Sequence, residues 1–176
     1  MIQIPEEFAR AIVVQHGEAG RDWLNLLPDL IGLCAARWSL KVGPPFPSLS
    51  YNYAAPAEGA AGARLVLKVG LPGPELLSEV EALRLFGGRG AARLVDADAQ
   101  TGALLLERVE PGTQLVVLCE EDDAAATSAA AGVMKKLWRP VPEVHNFPTA
   151  AGWGEGLVRM REHFGGGAAP FPRRLV

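Results

Sequence analysis

Apolar residues in the first part of the chain recur at helical spacing: Phe8, Ile12, then Trp23, Leu26, Leu27, Leu30, Ile31, Cys34 and Trp38. The stretch from Pro5 to Trp38 predicts two helices broken at Gly17 to Gly20. Pro28 marks a place where the second helix kinks or restarts, because proline lacks an amide donor and clashes with the preceding turn. From Leu40 the texture changes to short β-type runs: Leu49-Ser50-Tyr51-Asn52-Tyr53 alternates, Glu58 to Gly62 has turn composition, and Arg64 to Val69 is an apolar strand that ends at Gly70. A helix is predicted over Pro74 to Phe86, with Leu76, Val80, Leu83 and Phe86 on one stripe, prolines tolerated at its start and Gly87-Gly88 to stop it. Strands over Ala92 to Asp96 and Ala103 to Val109 flank the turn-forming Asp98-Ala99-Gln100-Thr101-Gly102, and Pro111-Gly112 ends the second. Helical periodicity then returns around Asp122 to Trp138 and Thr149 to Phe164, on either side of a segment holding Pro140, Pro142 and Pro148.

This order of helices, a mostly antiparallel sheet with one inserted helix, and further helices is an α+β arrangement with a boundary near Gly112. It divides the chain into 1–112 and 113–176. At 176 residues, 49% of them hydrophobic, the chain can bury a real core. Its 17 basic and 20 acidic residues are interspersed, so no electrostatic footprint for nucleic acid is present. There is no basic N-terminal region and no apolar run of membrane-spanning length, which predicts a cytoplasmic protein without signal peptide or span. Cys34 and Cys119, in unrelated contexts, fit reduced thiols buried as small apolar residues better than a disulfide or metal framework.

The candidate chemistry centres on Lys68, which ends the apolar run Leu65-Val66-Leu67. An ammonium there needs a partner, because desolvating an unpaired charge is costly. Glu79, on the helix directly after this strand, can reach it and hold the lysine head where polyphosphate oxygens would meet it. Glu75 and Glu81 compete for that role, and a snorkelling lysine among solvated glutamates is the plain alternative. Upstream, Ser48 to Tyr53 follows Gly43-Pro44-Pro45, and exposed N–H groups with small hydroxyls there can cap phosphates. Downstream, the strand Leu104 to Val109 leaves the sheet at Glu110-Pro111-Gly112, predicting unpaired backbone groups at Glu107 and Val109 that suit an adenine edge.

Several segments taken together carry a family resemblance: Gly17-Glu18-Ala19-Gly20-Arg21 with Trp23-Leu24; Pro45-Phe46-Pro47 with Leu49 to Tyr53; Val66 to Val69; Ser78-Glu79 with Glu81-Ala82-Leu83; Leu104 to Arg108 with Pro111-Gly112; and Leu137 to Pro140. In this order they resemble the N-terminal lobe of the kinase-like antibiotic phosphotransferases, most closely the streptomycin 6-kinase type of the aminoglycoside phosphotransferase family. The pattern lapses only after Gly165-Gly166-Gly167. The resemblance implies a kinase-like nucleotide-binding lobe followed by the first helices of an incomplete helical lobe. It further implies that ATP is the nucleotide, that Lys68 contacts its phosphates and Glu79 orients Lys68, that Ser50 and Asn52 belong to the nucleotide loop, and that the Glu107 to Val109 backbone is the hinge. The loop lacks the glycine-rich kinase pattern, which leaves open which of its atoms meet phosphate.

In this family the catalytic aspartate lies on a His-Gly-Asp loop, with a following Asn and a further Asp as magnesium ligands. None of these is found after the hinge, so no catalytic residue is expected in this chain, and the magnesium ligands are expected further along a longer protein. His16-Gly17-Glu18 reads as a turn between helices, and His145 and His163 as loop and helix-end histidines. The acidic run Glu120-Glu121-Asp122-Asp123 can draw a cationic aminocyclitol, but the simpler reading is helix capping by Asp122 or Asp123. The expected whole-protein activity is ATP-dependent phosphorylation of a hydroxyl on a small, aminoglycoside-like compound. The rival expectation is a non-catalytic truncated relative that binds nucleotide or self-associates through apolar helix surface between Asp122 and Phe164.

Overall fold

A computed structural model of the chain describes residues 2–167. The first element, α1 (Glu6–Arg37), runs as two helical segments across a break at Gly17, whose φ of 60° and ψ of −130° leave the helical region. Gly20 lies just beyond the break, where a Cβ would sit 2.7 Å from the Ile12 carbonyl oxygen. The expected interruption at Pro28 does not occur. Trp23, Leu27, Ile31 and Cys34 form one buried stripe on both sides of it, and that packing outweighs the lost hydrogen bond.

The sheet is antiparallel throughout, in the order β1-β2-β3-β5-β4, with β1 Lys41–Val42, β2 Tyr53–Glu58, β3 Arg64–Val69, β4 Leu94–Asp98 and β5 Ala103–Glu107. A 3-10 turn at Ala60–Gly62 joins β2 to β3, as the composition of that segment predicts. The alternation at Leu49 to Tyr53 does not make a strand. Residues 50–52 are bends and β2 begins at Tyr53. Pro56 explains why β1 is only two residues long. Gly43 N–H donates to the Pro56 carbonyl at 2.8 Å, but Pro56 has no N–H to return, so the ladder ends and the chain peels away into the 43–52 loop.

The two sheet faces are covered by different helices. Tyr53, Ala55, Ala57, Leu67, Val69 and Ala103 face α1, and Phe8, Ile12, Leu27 and Ile31 seal that core. The opposite face carries Leu104 and Leu106, on which α2 (Pro74–Phe86) lays Leu76, Val80 and Leu83. Every local signal for α2 agrees: proline at its first turn, the apolar stripe, and Gly87 in the left-handed conformation at φ 55° as its stop. The end of α1 is tied to β4 by Arg37 to Asp98 at 2.7 Å and by Trp38 Nε1–H donating to Asp96 at 2.7 Å. The Trp38 bond, then one from the Ala97 N–H, holds the Asp96 carboxyl below its ordinary range. A depressed folded-state value means this tie is present above the ordinary carboxylate pKa and is lost only as pH falls through the lowered one.

The chain continues through α3 (Leu115–Glu121), α4 (Asp123–Leu137) and α5 (Ala150–His163). α3 was not legible in advance, because Leu-Val-Val-Leu-Cys lacks a polar face. Asp122 caps α4 by accepting the Ala125 N–H at 2.9 Å, as one of the two expected caps. Cys34 is buried as expected, and burial pushes its thiol pKa up. Cys119 corrects the expectation for the second cysteine, since it is exposed on α3 beside the exposed Val116 and Val117. Of the expected stretch 113–176, residues 113–167 are described, and the part where the family pattern lapses lies outside the described residues. No helix among the described residues is long and apolar enough to cross a membrane.

Candidate nucleotide site

Lys68 stands in the middle strand of the sheet, opposite Ala54 on β2 and Leu104 on β5. Directly paired residues point to one side. Ala54, Lys68 and Leu104 therefore form one row on the α2 face, and Pro56, Val66 and Leu106 form the next. α2 covers the β5 half of this face, while Ala54, Pro56 and Val66 stay half-buried beside it. Lys68 sits on the boundary between the covered half and the open half.

There Lys68 Nζ donates to Glu79 Oε1 at 2.5 Å, with side-chain exposures of 21% and 35%. Of the three competing glutamates, Glu79 is the partner. Glu75 is exposed in the first turn of α2, and Glu81 points elsewhere. A pair this exposed contributes on the order of 1 kcal/mol or less to stability. The pair fixes the ammonium on the boundary between the covered and the open half of the sheet face.

The nucleotide-loop candidates lie at the same end of the sheet. Because β2 runs antiparallel to β3 and begins opposite Val69, residues 50–52 arrive beside the end of the Lys68 strand. Ser50 is exposed in the bend. Asn52 is held against Gly70, where a Cβ would lie 2.0 Å from Asn52 Oδ1. Asn52 is thus brought to the Lys68 strand, whereas Ser50 remains free at the loop tip.

At the other end of β5, Glu107 corrects part of the hinge expectation. Its N–H is not free but donates to the Arg93 carbonyl at 3.0 Å, and its carboxylate accepts the Arg93 N–H at 2.8 Å. β4 runs from Leu94 to Asp98, two residues later at each end than the expected Ala92 to Asp96, with a register shift between Leu94 and Asp96, and Arg93 just before it still bonds Glu107. The Val109 N–H, by contrast, makes no hydrogen bond among the described residues, and its side chain is 60% exposed.

One polar contact had no local signal in the sequence. Asn146, in the proline-bounded loop between α4 and α5, donates its backbone N–H to Glu81 Oε2 at 2.9 Å and its side-chain amide to Glu81 Oε1. These two bonds, backbone first, hold the Glu81 carboxyl below the ordinary range. Neighbouring His145 stacks on Phe147 and accepts the Phe147 N–H at 3.0 Å, and His163 ends α5 edge-on to Phe164. His16 precedes the Gly17 break and lies on α1, which packs on the other face of the sheet. Among the described residues, no cluster of three or more His, Cys, Asp or Glu side chains is arranged to hold a metal ion.

Comparison with known proteins gives a consistent result. The family model for aminoglycoside/hydroxyurea antibiotic resistance kinases matches residues 52–169. The chain is 35% identical over 137 residues to a hydroxyurea phosphotransferase from Kitasatospora aureofaciens, an alignment covering 78% of this chain and 40% of that protein. It is 33% identical over 162 residues to a streptomycin 6-kinase from Streptomyces griseus, covering 92% of this chain and 50% of that one. A streptomycin 6-kinase from Streptomyces glaucescens is 33% identical over 137 residues, 78% of this chain and 44% of its own. The chain therefore spans half or less of the length of these curated relatives. No solved structure matches it.

Proposed function

The chain belongs to the aminoglycoside/hydroxyurea antibiotic resistance kinase family, and from that premise we propose that residues 1–112 are its ATP-binding lobe and 113–176 the beginning of its helical lobe. The observation that carries this reading is the Lys68 to Glu79 contact at 2.5 Å on the boundary of the half-open sheet face. The ammonium neutralises phosphate oxygens and Glu79 keeps it in place. Asn52 and Ser50 supply loop donors. The half-buried Ala54, Pro56 and Val66 offer a flat apolar seat for a purine, and the Val109 N–H borders its polar edge.

For the complete kinase, the proposed reaction is transfer of the ATP γ-phosphoryl group to a hydroxyl of a small antibiotic of the streptomycin or hydroxyurea class. The described residues do not assemble a magnesium site, and no aspartate after the hinge stands in a His-Gly-Asp setting. These 176 residues are accordingly proposed to bind nucleotide without transferring phosphate. Calorimetric titration of the folded chain with ATP is expected to give a saturable isotherm below millimolar concentration, while radiolabelled γ-phosphate should not appear on streptomycin. No heat of binding at millimolar ATP would remove the reading.

A second reading, self-association, is favoured by one observation. Met134, Trp138, Trp153, Leu157 and Val158 on and beside α4 and α5 are all more than half exposed. Light scattering over a hundredfold range of concentration should then show mass rising with concentration. A constant monomer mass rules this reading out and leaves the first intact.

A further inference from the structure

Glu79 and Glu81 are two residues apart on α2, which at 3.6 residues per turn sends their carboxylates to nearly opposite sides of the helix. One side meets Lys68 on β3 and the other meets Asn146. Between them, α2 rests on the sheet through Leu76, Val80 and Leu83, so contacts made by the two carboxylates on either side of that stripe act on the roll of the helix about its own axis. Glu81 accepts two donors from a single residue, the backbone N–H at 2.9 Å and the side-chain amide, so the contact fixes an orientation as well as a distance. The strap that brings Asn146 there is itself held: His145 and Phe147 are stacked with ring centroids 5.3 Å apart, and Phe147 shares a groove with Ala82 and Phe86 of α2.

We propose that Asn146 is a positioning residue for the nucleotide site: by clamping Glu81 it sets the roll of α2 and so keeps Glu79 within reach of Lys68. The inference rests on the ATP-binding reading above. Asn146 makes its hydrogen bonds to Glu81 and none to Lys68, and it acts on the site through the position of Glu79. That distinguishes it from a residue that merely packs a loop.

Three variants of the chain and one altered background test this by ATP calorimetry. Asn146→Ala removes the side-chain donor, and Asn146→Asp sets two carboxylates against each other; each should weaken ATP binding about five- to tenfold. Combining Asn146→Asp with Glu81→Gln restores a carboxylate–amide pair with the roles exchanged and should return affinity to within about twofold of the parent. In a Glu79→Gln background Asn146→Ala should change affinity hardly at all, because the group it positions is gone. Unchanged affinity for Asn146→Ala in a parent that binds ATP overturns the proposal, as does an undiminished loss in the Glu79→Gln background. If the parent itself binds no ATP, the nucleotide reading fails instead, and amide exchange along α2 decides the clamp. Faster exchange in Asn146→Ala, reversed in the exchanged pair, supports it, and unchanged exchange overturns it.

Discussion

Lys68→Met is expected to weaken ATP binding roughly ten- to hundredfold while leaving the protein folded. Methionine keeps the length and the apolar stem of lysine, so the row Ala54, residue 68 and Leu104 still packs. The lost ammonium leaves Glu79 unpaired, but that carboxylate is 35% exposed and is solvated at little cost. Phosphate loses a charge-assisted contact of about 1.5–3 kcal/mol, which corresponds to roughly a ten- to hundredfold weaker complex. Calorimetry on the variant, with circular dichroism to show an unchanged fold, separates the two effects. Parent-like affinity in Lys68→Met would mean that the lysine is a snorkelling surface residue and that the pair with Glu79 has no bearing on nucleotide.

Gly102→Ala should give the largest loss of stability from a single methyl group. Gly102 is buried in the turn just before β5 with φ +73°, a conformation that costs any residue with a Cβ. The added carbon would also lie 2.0 Å from the Gly70 carbonyl oxygen, and Gly70 in turn donates its N–H to Gly102 O at 2.9 Å. Neither backbone can retreat without breaking that bond and the adjoining Val69 to Ala103 pair. A cost of about 2–4 kcal/mol is expected, or roughly 5–15 °C in melting temperature for a chain of this size. Because Gly70 closes the Lys68 strand, ATP affinity should fall as well. A melting temperature within a degree of the parent would show that the close approach relaxes freely.

The difference between what was legible in the sequence and what was not follows from how local each signal is. α2 and β3 matched expectation because their spacing, proline and glycine all act within a few residues. The pairing of Lys68 with Glu79 was legible for the same reason: one strand and the following helix suffice to bring them together. β2 was misplaced because Ala-Ala-Pro-Ala carries little strand propensity, and its position is set by pairing with β3. The Glu107 N–H was expected to be free because Pro111-Gly112 suggests a strand already leaving the sheet, whereas pairing with Arg93, just before the neighbouring strand, keeps it engaged. The Asn146 clamp on Glu81 joins residues 65 apart with no motif at either end, so only the folded chain reveals it. Pro28 shows the converse, a strong local signal overridden by tertiary packing along α1.

The central claim is that Lys68 is the group that meets nucleotide phosphate, and an ATP acyl-phosphate reagent tests it directly. Such a reagent transfers its acyl group to an amine lying against the phosphates. The chain offers four lysines, Lys41, Lys68, Lys135 and Lys136, which peptide mass spectrometry can tell apart. The expected result is acylation concentrated at Lys68 and suppressed by excess ATP. Equal labelling of the other three lysines, or labelling of Lys68 that excess ATP does not suppress, would contradict the account.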